Sequence, residues 1–151
     1  MSNTNTHIFT SVDKPAFLTQ NKIIDFLYEH LENFGDPKEY IKKAIDYAMS
    51  PYPSQGGYIL AEYDGDEIVG AVVINNTGMS GYIPENILVY IATHKDYRGS
   101  GLGKKLMHKS QEIAKGDIAL HVEHDNPALK LYEKVGFTNK YLEMRWENEN
   151  K

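Results

Sequence analysis

The stretch "NILVYIATHKDYRGSGLGKKLMHKS", residues Asn86–Ser110, decides the fold, because an apolar run, a glycine-rich loop and a helical pattern follow one another directly. The run Asn86–Ala92 is almost continuously apolar, which predicts a central strand covered on both faces. In the loop, Gly99, Gly101 and Gly103 alternate with larger residues. Glycine costs backbone entropy, so this cluster indicates either a tight strand-to-helix connection or close approach of the backbone to a ligand.

The junction between this loop and the following helix has the properties of an anion site. The first backbone N–H groups of a helix lack partners within the helix, and the helix dipole favours negative charge there. Arg98, Lys104 and Lys105 add positive charge, so a phosphate is the expected ligand. A Walker loop is excluded by spacing, because three residues separate Gly99 from Gly103 and Lys105 stands where Ser or Thr would hold magnesium.

A dinucleotide-binding fingerprint is the second candidate for the same loop. The pattern G-x-G-x-x-G is matched at Gly99 and Gly101, but Lys104 stands at the third glycine. Glu123, at the end of the next predicted strand, imitates the acidic residue that binds the ribose in such proteins. The residues alone therefore do not exclude a dinucleotide-binding protein.

The flanking sequence predicts one α/β domain, an α+β arrangement in which a mixed sheet carries helices on both faces. We expect a single domain over residues 1–151, with an ordered core at 7–146. A helix separates the central strand from the next one, which predicts that those two strands are parallel neighbours. The predicted elements begin with a strand at His7–Val12 and two helices that meet at the turn "NFGDP", where Asp36 is the N-cap of the second helix. A hairpin with Asp64 and Gly65 at its tip and the strand Asn86–Ala92 follow. The rest of the chain is predicted to form a helix from Leu102, a strand at Ile118–Glu123, a helix from Asn126 to Gly136, and two terminal strands within Phe137–Trp146.

The composition narrows the class of function. The chain has 151 residues, a formal net charge of −5 and no cysteine, which removes disulfides, thiolate metal sites and a cysteine nucleophile. The acidic balance argues against nucleic-acid partners. The N-terminal residues do not show the basic region followed by an apolar run that is typical of a signal peptide, and no apolar run is long enough for a membrane span. We therefore expect a cytoplasmic protein without membrane partners. His121 and His124 do not share a helical face, and no metal is predicted.

Two blocks of the sequence resemble the GNAT superfamily of N-acetyltransferases. Arg98–Gly103, "RGSGLG", is similar to its signature [RQ]-x-x-G-x-[GA]. Asn126–Phe137, "NPALKLYEKVGF", is similar to its next block, with Tyr132 in register. At the asparagine position of that block stands Asp125, and Asn126 follows one residue later. The predicted order of elements is also that of the family, so the resemblance covers nearly the whole chain.

The resemblance implies a fold in which the two parallel strands splay apart and the pantetheine arm of acetyl-CoA enters the gap. Backbone groups left unpaired by the splay can bind the pantetheine amides as an added strand would, and the pyrophosphate then reaches the glycine loop. By local chemistry, Asn126 is also a helix N-cap. The implied cofactor-binding residues are Ile91, Ala92, Thr93, Arg98, Gly99, Ser100, Gly101, Leu102, Gly103, Lys104, Asn126 and Tyr132.

The implied reaction is direct transfer of an acetyl group to a primary amine, which must lose a proton while the departing thiolate gains one. For an amine with a pKa of about 10.4, neutrality at pH 7 costs about 4 to 5 kcal/mol. By resemblance Tyr132 is the acid and Glu85, just before the central strand, is the candidate base. Glu123 and a water relay are the alternatives to Glu85. Backbone N–H groups near Ile91 would stabilise the negative charge that develops on the thioester oxygen.

Two features of the function stay open in the sequence. The chain could be a non-catalytic acyl-CoA-binding module rather than an enzyme, and its acceptor could be a small-molecule amine or an amine of a peptide or protein. The first two helices, the "NFGDP" turn and the terminal strands would set the acceptor. A homodimer is also compatible with the sequence.

Overall fold

The computed structural model describes residues 3–151 and has one five-stranded mixed sheet with helices on both faces. The strands are β1 (Asn5–Phe9), β2 (Gly57–Asp64), β3 (Glu67–Asn76), β4 (Asn86–Thr93) and β5 (Ile118–Leu120). The helices are α1 (Phe17–His30), α2 (Lys38–Ala48), α3 (Leu102–Ile113) and α4 (Leu129–Lys134), with 3-10 turns at Glu32–Phe34 and Lys95–Tyr97. The sheet order is β1-β2-β3-β4-β5, antiparallel from β1 to β4 and parallel between β4 and β5. The predicted α/β class with a mixed sheet is confirmed.

The sheet separates two hydrophobic cores. One lies beneath α1 and α2, and the other lies beneath α3 and α4. Neighbouring residues of β3, such as Ala71 and Val72, belong to opposite cores because successive side chains of a strand point to opposite faces. Within the described residues, no helix has both the length and the apolar character needed to cross a membrane.

A β-bulge interrupts β4 at Val89. Val73 of β3 pairs with Tyr90 and the next residue, Ile74, pairs with Leu88, so Val89 has no partner across the ladder. Val89 and Tyr90 consequently both pack against the core beneath α1 and α2, where an unbroken strand would place them on opposite faces. A bulge also bends its strand and increases the local twist. The bulge therefore turns β4 at the point where its pairing with β5 ends.

The two parallel strands separate after three residue pairs. Asn86–Leu88 pairs with Ile118–Leu120, and among the described residues no strand pairs with the rest of β4 on that side. The N–H of His94 donates to β3, and backbone groups alternate in direction along an antiparallel strand. The N–H and C=O groups of Ile91 and Thr93 consequently point into the gap that opens between β4 and β5.

The predicted terminal strands within Phe137–Trp146 are not formed. No strand follows α4 in the described part of the chain. Leu142, Met144 and Trp146 alternate with charged residues as in a strand with one buried face, yet they are 83%, 90% and 81% exposed. Alternation reports the spacing of apolar residues but not the presence of a pairing partner, without which a strand is not stable. The helix before this segment is also shorter than predicted and begins at Leu129.

A buried carboxylate, Glu62, joins β2 to α3. Its side chain is fully buried, Lys105 Nζ lies 2.5 Å from Oε2, and the hydroxyl of Thr6 donates to Oε1. Burial acts to raise the pKa of Glu62, but hydrogen bonds from Lys105, Thr4 and Thr6 and the charge of Lys105 outweigh it and hold the pKa below its usual value. Lys105 is therefore the partner of Glu62 rather than a free cation for a phosphate.

Replacing Lys105 with methionine is expected to lower the free energy of unfolding by about 2 to 3 kcal/mol, because the buried carboxylate loses its cation. The lysine side chain is 43% exposed, which keeps the loss below the roughly 3 to 5 kcal/mol that is typical of fully buried pairs. A lowered folded-state pKa stabilises the fold above the unfolded-state pKa, and this stabilisation disappears as the pH falls through the folded-state pKa. Urea denaturation should thus separate the two proteins at pH 7 and bring them together as the pH falls below the lowered folded-state pKa of Glu62.

The exposed neighbour Lys104 provides the matched control for this experiment. Replacing Lys104 with methionine removes the same charge from the same helix turn and should change the free energy of unfolding by less than about 0.5 kcal/mol. Equal losses in the two variants would contradict a specific role for the Lys105–Glu62 pair.

Candidate active site

The glycine loop ends at the first turn of α3, and two of its glycines are needed for their backbone conformation. Gly99 has φ +80° and Gly101 has φ +88°, both in the left-handed region that other residues rarely adopt. The C=O of Gly101 accepts the N–H of Lys105 and so begins the helical ladder. The N–H groups of Leu102, Gly103 and Lys104 consequently have no partner within the helix, which is the condition that the predicted anion site requires.

The third glycine of the motif, Gly103, serves a different purpose. A Cβ atom at Gly103 would lie 3.1 Å from Cδ2 of Leu131 on α4, closer than ordinary van der Waals contact. Gly103 therefore lets α3 pack closely against α4, next to the turn that carries Tyr132.

The side chains of the loop are occupied within the protein. The Arg98 guanidinium donates to Glu32 Oε1 at 2.7 Å and to the backbone oxygen of His30 at 2.9 Å, which ties the loop to the end of α1. The hydroxyl of Ser100 donates to the backbone oxygen of Tyr97, and Leu102 is buried. The loop therefore offers an anion its backbone N–H groups rather than these side chains.

Tyr132 lies on α4 with its ring buried in the core that also contains Leu102 and, partly buried, Ile91. The structure thus brings together the start of α3, the splayed part of β4 and the predicted acid. Ala92 differs from its neighbours in β4, because its backbone groups point toward β3 and its side chain is buried beneath α1 and α2. Burial raises the pKa of the Tyr132 hydroxyl, which keeps it protonated at neutral pH.

The end of α4 fixes the position of Tyr132. The N–H of Phe137 donates to the Tyr132 C=O at 3.0 Å, and the N–H of Gly136 donates to the Glu133 C=O at 3.1 Å. With φ +101° at Gly136, these bonds form a Schellman motif. The rings of Tyr132 and Phe137 meet with centroids 6.3 Å apart, which is the apolar contact that accompanies the motif. The sequence "GF" therefore positions the tyrosine five residues earlier.

Comparison with known proteins agrees with this geometry. The model of the Acetyltransferase (GNAT) family matches residues 23–137. The chain belongs to the GNAT acetyltransferase family. Four of its five strands pair antiparallel, whereas the dinucleotide-binding fold has a doubly wound parallel sheet. The dinucleotide-binding alternative is therefore excluded.

Individual GNAT relatives are distant. N-alpha-acetyltransferase 30 of Schizosaccharomyces pombe is 29% identical over 103 residues, which cover 65% of this chain and 67% of that protein. Mycothiol acetyltransferase of Geodermatophilus obscurus is 28% identical over 103 residues, which cover 64% of this chain and 33% of that protein. The crystal structure of PH1933 from Pyrococcus horikoshii OT3 superposes with a TM-score of 0.64 at 27% identity and covers 89% of both chains.

Asn126, a predicted cofactor contact in the second GNAT block, forms an Asx turn ahead of α4. Its Oδ1 accepts the N–H of Ala128 at 2.9 Å. Ala128 rather than Asn126 stands at the N-cap position of α4, which has no side-chain cap, so the predicted N-cap role is wrong and the side-chain oxygen instead serves the turn. No group of three or more His, Cys, Asp or Glu side chains within residues 3–151 is arranged to hold a metal ion.

Glu85 does not lie with the other predicted site residues. It precedes the N-terminal end of β4, whereas the gap opens at the C-terminal end. Its Oε1 accepts the N–H of Asp117 at 2.7 Å and its Oε2 accepts the N–H of Gly81 at 3.1 Å. These N–H groups, that of Asp117 first, hold the pKa of Glu85 below its usual value. The geometry gives Glu85 a structural role in joining two turns and does not support the predicted role as base.

Replacing Glu85 with glutamine is expected to leave kcat within about twofold of wild type and to lower the melting temperature. A glutamine oxygen can still accept one N–H, but its NH₂ group cannot accept the second. Steady-state thiol release and calorimetric melting measure the two effects. The exposed carboxylate of Glu112 on α3 provides the control, since Glu112→Gln should change neither. A large loss of kcat at an unchanged melting temperature would restore the catalytic hypothesis.

A tyrosine–carboxylate pair that the sequence did not reveal joins β4 to the α1–α2 connection. The hydroxyl of Tyr90 donates to Asp36 Oδ2 at 2.6 Å. Asp36 was predicted to cap α2, but that helix has no side-chain cap and Pro37 stands at its N-cap position. Tyr90 is one of several apolar or aromatic residues in β4, so composition did not distinguish it. The only available signal was the proximity of the "NFGDP" turn to the expected acceptor region.

Proposed function

We propose that this chain is an acetyl-CoA-dependent N-acetyltransferase that transfers the acetyl group directly to a primary amine. The observation that carries the proposal is the gap between β4 and β5, which is lined by unpaired backbone groups beside Tyr132 and the N-terminus of α3. An extended amide-containing chain fits such a gap, because it can pair with backbone groups as a strand would.

The backbone groups suit the two polar parts of acetyl-CoA. The C=O of Ile91 and the backbone groups of Thr93 would hold the pantetheine amides, and the N–H groups of Leu102, Gly103 and Lys104 would hold the pyrophosphate. Bound acetyl-CoA supplies an activated thioester. At Gly99 and Gly101 no atom beyond the neighbouring residues lies within 4 Å of where a Cβ atom would be, so the backbone there is open to a ligand.

Two groups of the chain suit the charges that develop in the transfer. The N–H of Ile91 would donate to the thioester oxygen as it becomes negative. Tyr132 would donate its hydroxyl proton to the departing sulfur, a role for which its raised pKa keeps it protonated. The bond from carbon to the neutral amine nitrogen forms while the carbon–sulfur bond breaks. The nitrogen then loses a proton, and the Tyr132 phenolate regains one, so the products are an acetylated amine, free CoA and an unchanged Tyr132.

We propose the N-terminal α-amine of a peptide as the acceptor class to test first. The support is the relative named N-alpha-acetyltransferase 30, whose matched segment covers about two thirds of each chain. Location in the cytoplasm and assembly as a homodimer stay predictions.

A thiol-release screen with acetyl-CoA tests the proposal. The panel contains a short peptide with a free N-terminus, the same peptide with a blocked N-terminus and an internal lysine, and spermidine. We expect release of CoA with the free N-terminal peptide and acetylation at its α-amine by mass spectrometry. Binding of acetyl-CoA in calorimetry without release from any amine would instead identify a non-catalytic acyl-CoA-binding module.

A further inference from the structure

The hydrogen bond between Tyr90 and Asp36 joins the α1–α2 connection to β4, two residues beyond the last pair of β4 with β5. Tyr90 is half-buried and Asp36 is exposed. Burial, followed by the hydrogen bond and negative charge of Asp36, raises the pKa of Tyr90. The tyrosine is therefore a neutral hydroxyl at physiological pH, and its hydrogen is directed to the carboxylate.

This arrangement leaves the Tyr90 oxygen with its lone pairs available. A hydroxyl whose hydrogen is committed to one partner can bind a second group only as an acceptor. The ligand that suits it is consequently an N–H donor. Asp36 also lines a cleft of about 510 Å³ together with Glu29 and Glu32, although Tyr90 does not line it. Arg98 already pairs with Glu32, so the carboxylates of Asp36 and Glu29 are the ones that favour a cationic donor over a neutral one.

Tyr90 and Tyr132 lie on opposite faces of the sheet. The bulge at Val89 directs Tyr90 to the face covered by α1 and α2, whereas Tyr132 belongs to the core beneath α3 and α4. Ile91, the next residue along β4, has backbone groups that point into the gap between them. An acyl group beside Ile91 would therefore have one tyrosine hydroxyl available to the leaving group and a second available to the incoming nucleophile.

We propose that Tyr90 and Asp36 form the acceptor-amine site, in which the Tyr90 oxygen binds the primary ammonium of the acceptor and passes its proton to Asp36. The inference rests on the proposed N-acetyltransferase function and assigns the proton acceptor that this function needs. Tyr90 is the residue that contacts the amine, and Asp36 acts through it.

The proton transfer is balanced within the pair. One N–H bond of the ammonium breaks as its proton bonds to the Tyr90 oxygen. The O–H bond that Tyr90 had made breaks at the same time, and that proton bonds to Asp36 Oδ2. The amine becomes neutral and nucleophilic, Tyr90 remains a neutral hydroxyl, and Asp36 becomes a carboxylic acid that returns the proton to water through its exposed side.

Replacing Asp36 with asparagine tests whether the Asp36 carboxylate takes up a proton or only holds Tyr90 in place. Asparagine can still accept the hydrogen bond from Tyr90, but it cannot take up the proton. With the free N-terminal peptide as probe, we expect D36N to lower kcat about 100-fold while KM for acetyl-CoA stays within about twofold. D36E, which restores the carboxylate, should recover kcat to within about fivefold of wild type, and Y90F should lose as much as D36N.

A nearby carboxylate provides the control. Asp25 on α1 forms an ion pair with Lys38 at the start of α2, 2.9 Å apart, so D25N removes the same charge from the same pair of helices. D25N should keep kcat within about twofold. The inference is overturned if D36N also keeps kcat within about twofold, or if D36E fails to recover activity while melting at the wild-type temperature. A wild-type protein that acetylates none of the amines would overturn the proposed function and this inference with it.

Discussion

Replacing Tyr132 with phenylalanine is expected to lower kcat by at least about 100-fold and to change the Kd of acetyl-CoA by less than about threefold. The substitution removes the one group proposed to protonate the departing sulfur. It keeps the aromatic ring that is buried against Phe137, so α4 and the gap should keep their positions. Steady-state thiol release gives kcat, and isothermal calorimetry gives the Kd.

A second tyrosine shows whether such a loss is specific. Tyr47 on α2 donates its hydroxyl to the backbone oxygen of Asn76 at 2.7 Å, on the face of the sheet away from Tyr132. Tyr47→Phe removes a comparable hydroxyl and should leave kcat within about twofold. Unchanged turnover in Tyr132→Phe would reject the acid role, and a joint loss of kcat and acetyl-CoA affinity would point to a packing role instead.

The parts of the fold that local signals determine were predictable. Gly65 has φ +64° at the tip of the β2–β3 hairpin, and Gly136 has φ +101° at the end of α4. Both conformations strongly favour glycine, so the sequence marks these two boundaries directly. The order of the five strands and four helices followed from such boundaries together with the periodicity of the apolar residues.

The parts that depend on distant contacts were not predictable. The residues of β4 near Val89 are apolar or aromatic and face cores on both sides, so periodicity cannot reveal the bulge that turns Tyr90 toward α1 and α2. Asp36, the partner of Tyr90, lies 54 residues away in the sequence. Arg98 and Lys105 were interpreted as phosphate ligands because they flank the loop, but their carboxylate partners come from other elements.

Replacing Gly101 with valine is expected to weaken acetyl-CoA binding about 100-fold. A β-branched residue is strained at φ +88°, so the first turn of α3 should rotate away from its present geometry. Loss of about two charge-assisted hydrogen bonds from the backbone to a pyrophosphate accounts for an effect of this size. Isothermal calorimetry with acetyl-CoA measures the change.

Gly65 provides a control that separates the effect of backbone strain on stability from the loss of the anion site at α3. Its φ of +64° is also left-handed, and at both glycines no atom beyond the neighbouring residues lies within 4 Å of where a Cβ would be. Gly65→Val should therefore destabilise the protein by a similar amount, about 1 to 2 kcal/mol, and leave the Kd for acetyl-CoA unchanged. If both variants bind acetyl-CoA equally, the α3 N-terminus does not hold the pyrophosphate. If Gly101→Val alone loses affinity at matched stability, the loss belongs to the backbone N–H groups of that turn, which Gly101 orients and which no side chain of the loop replaces.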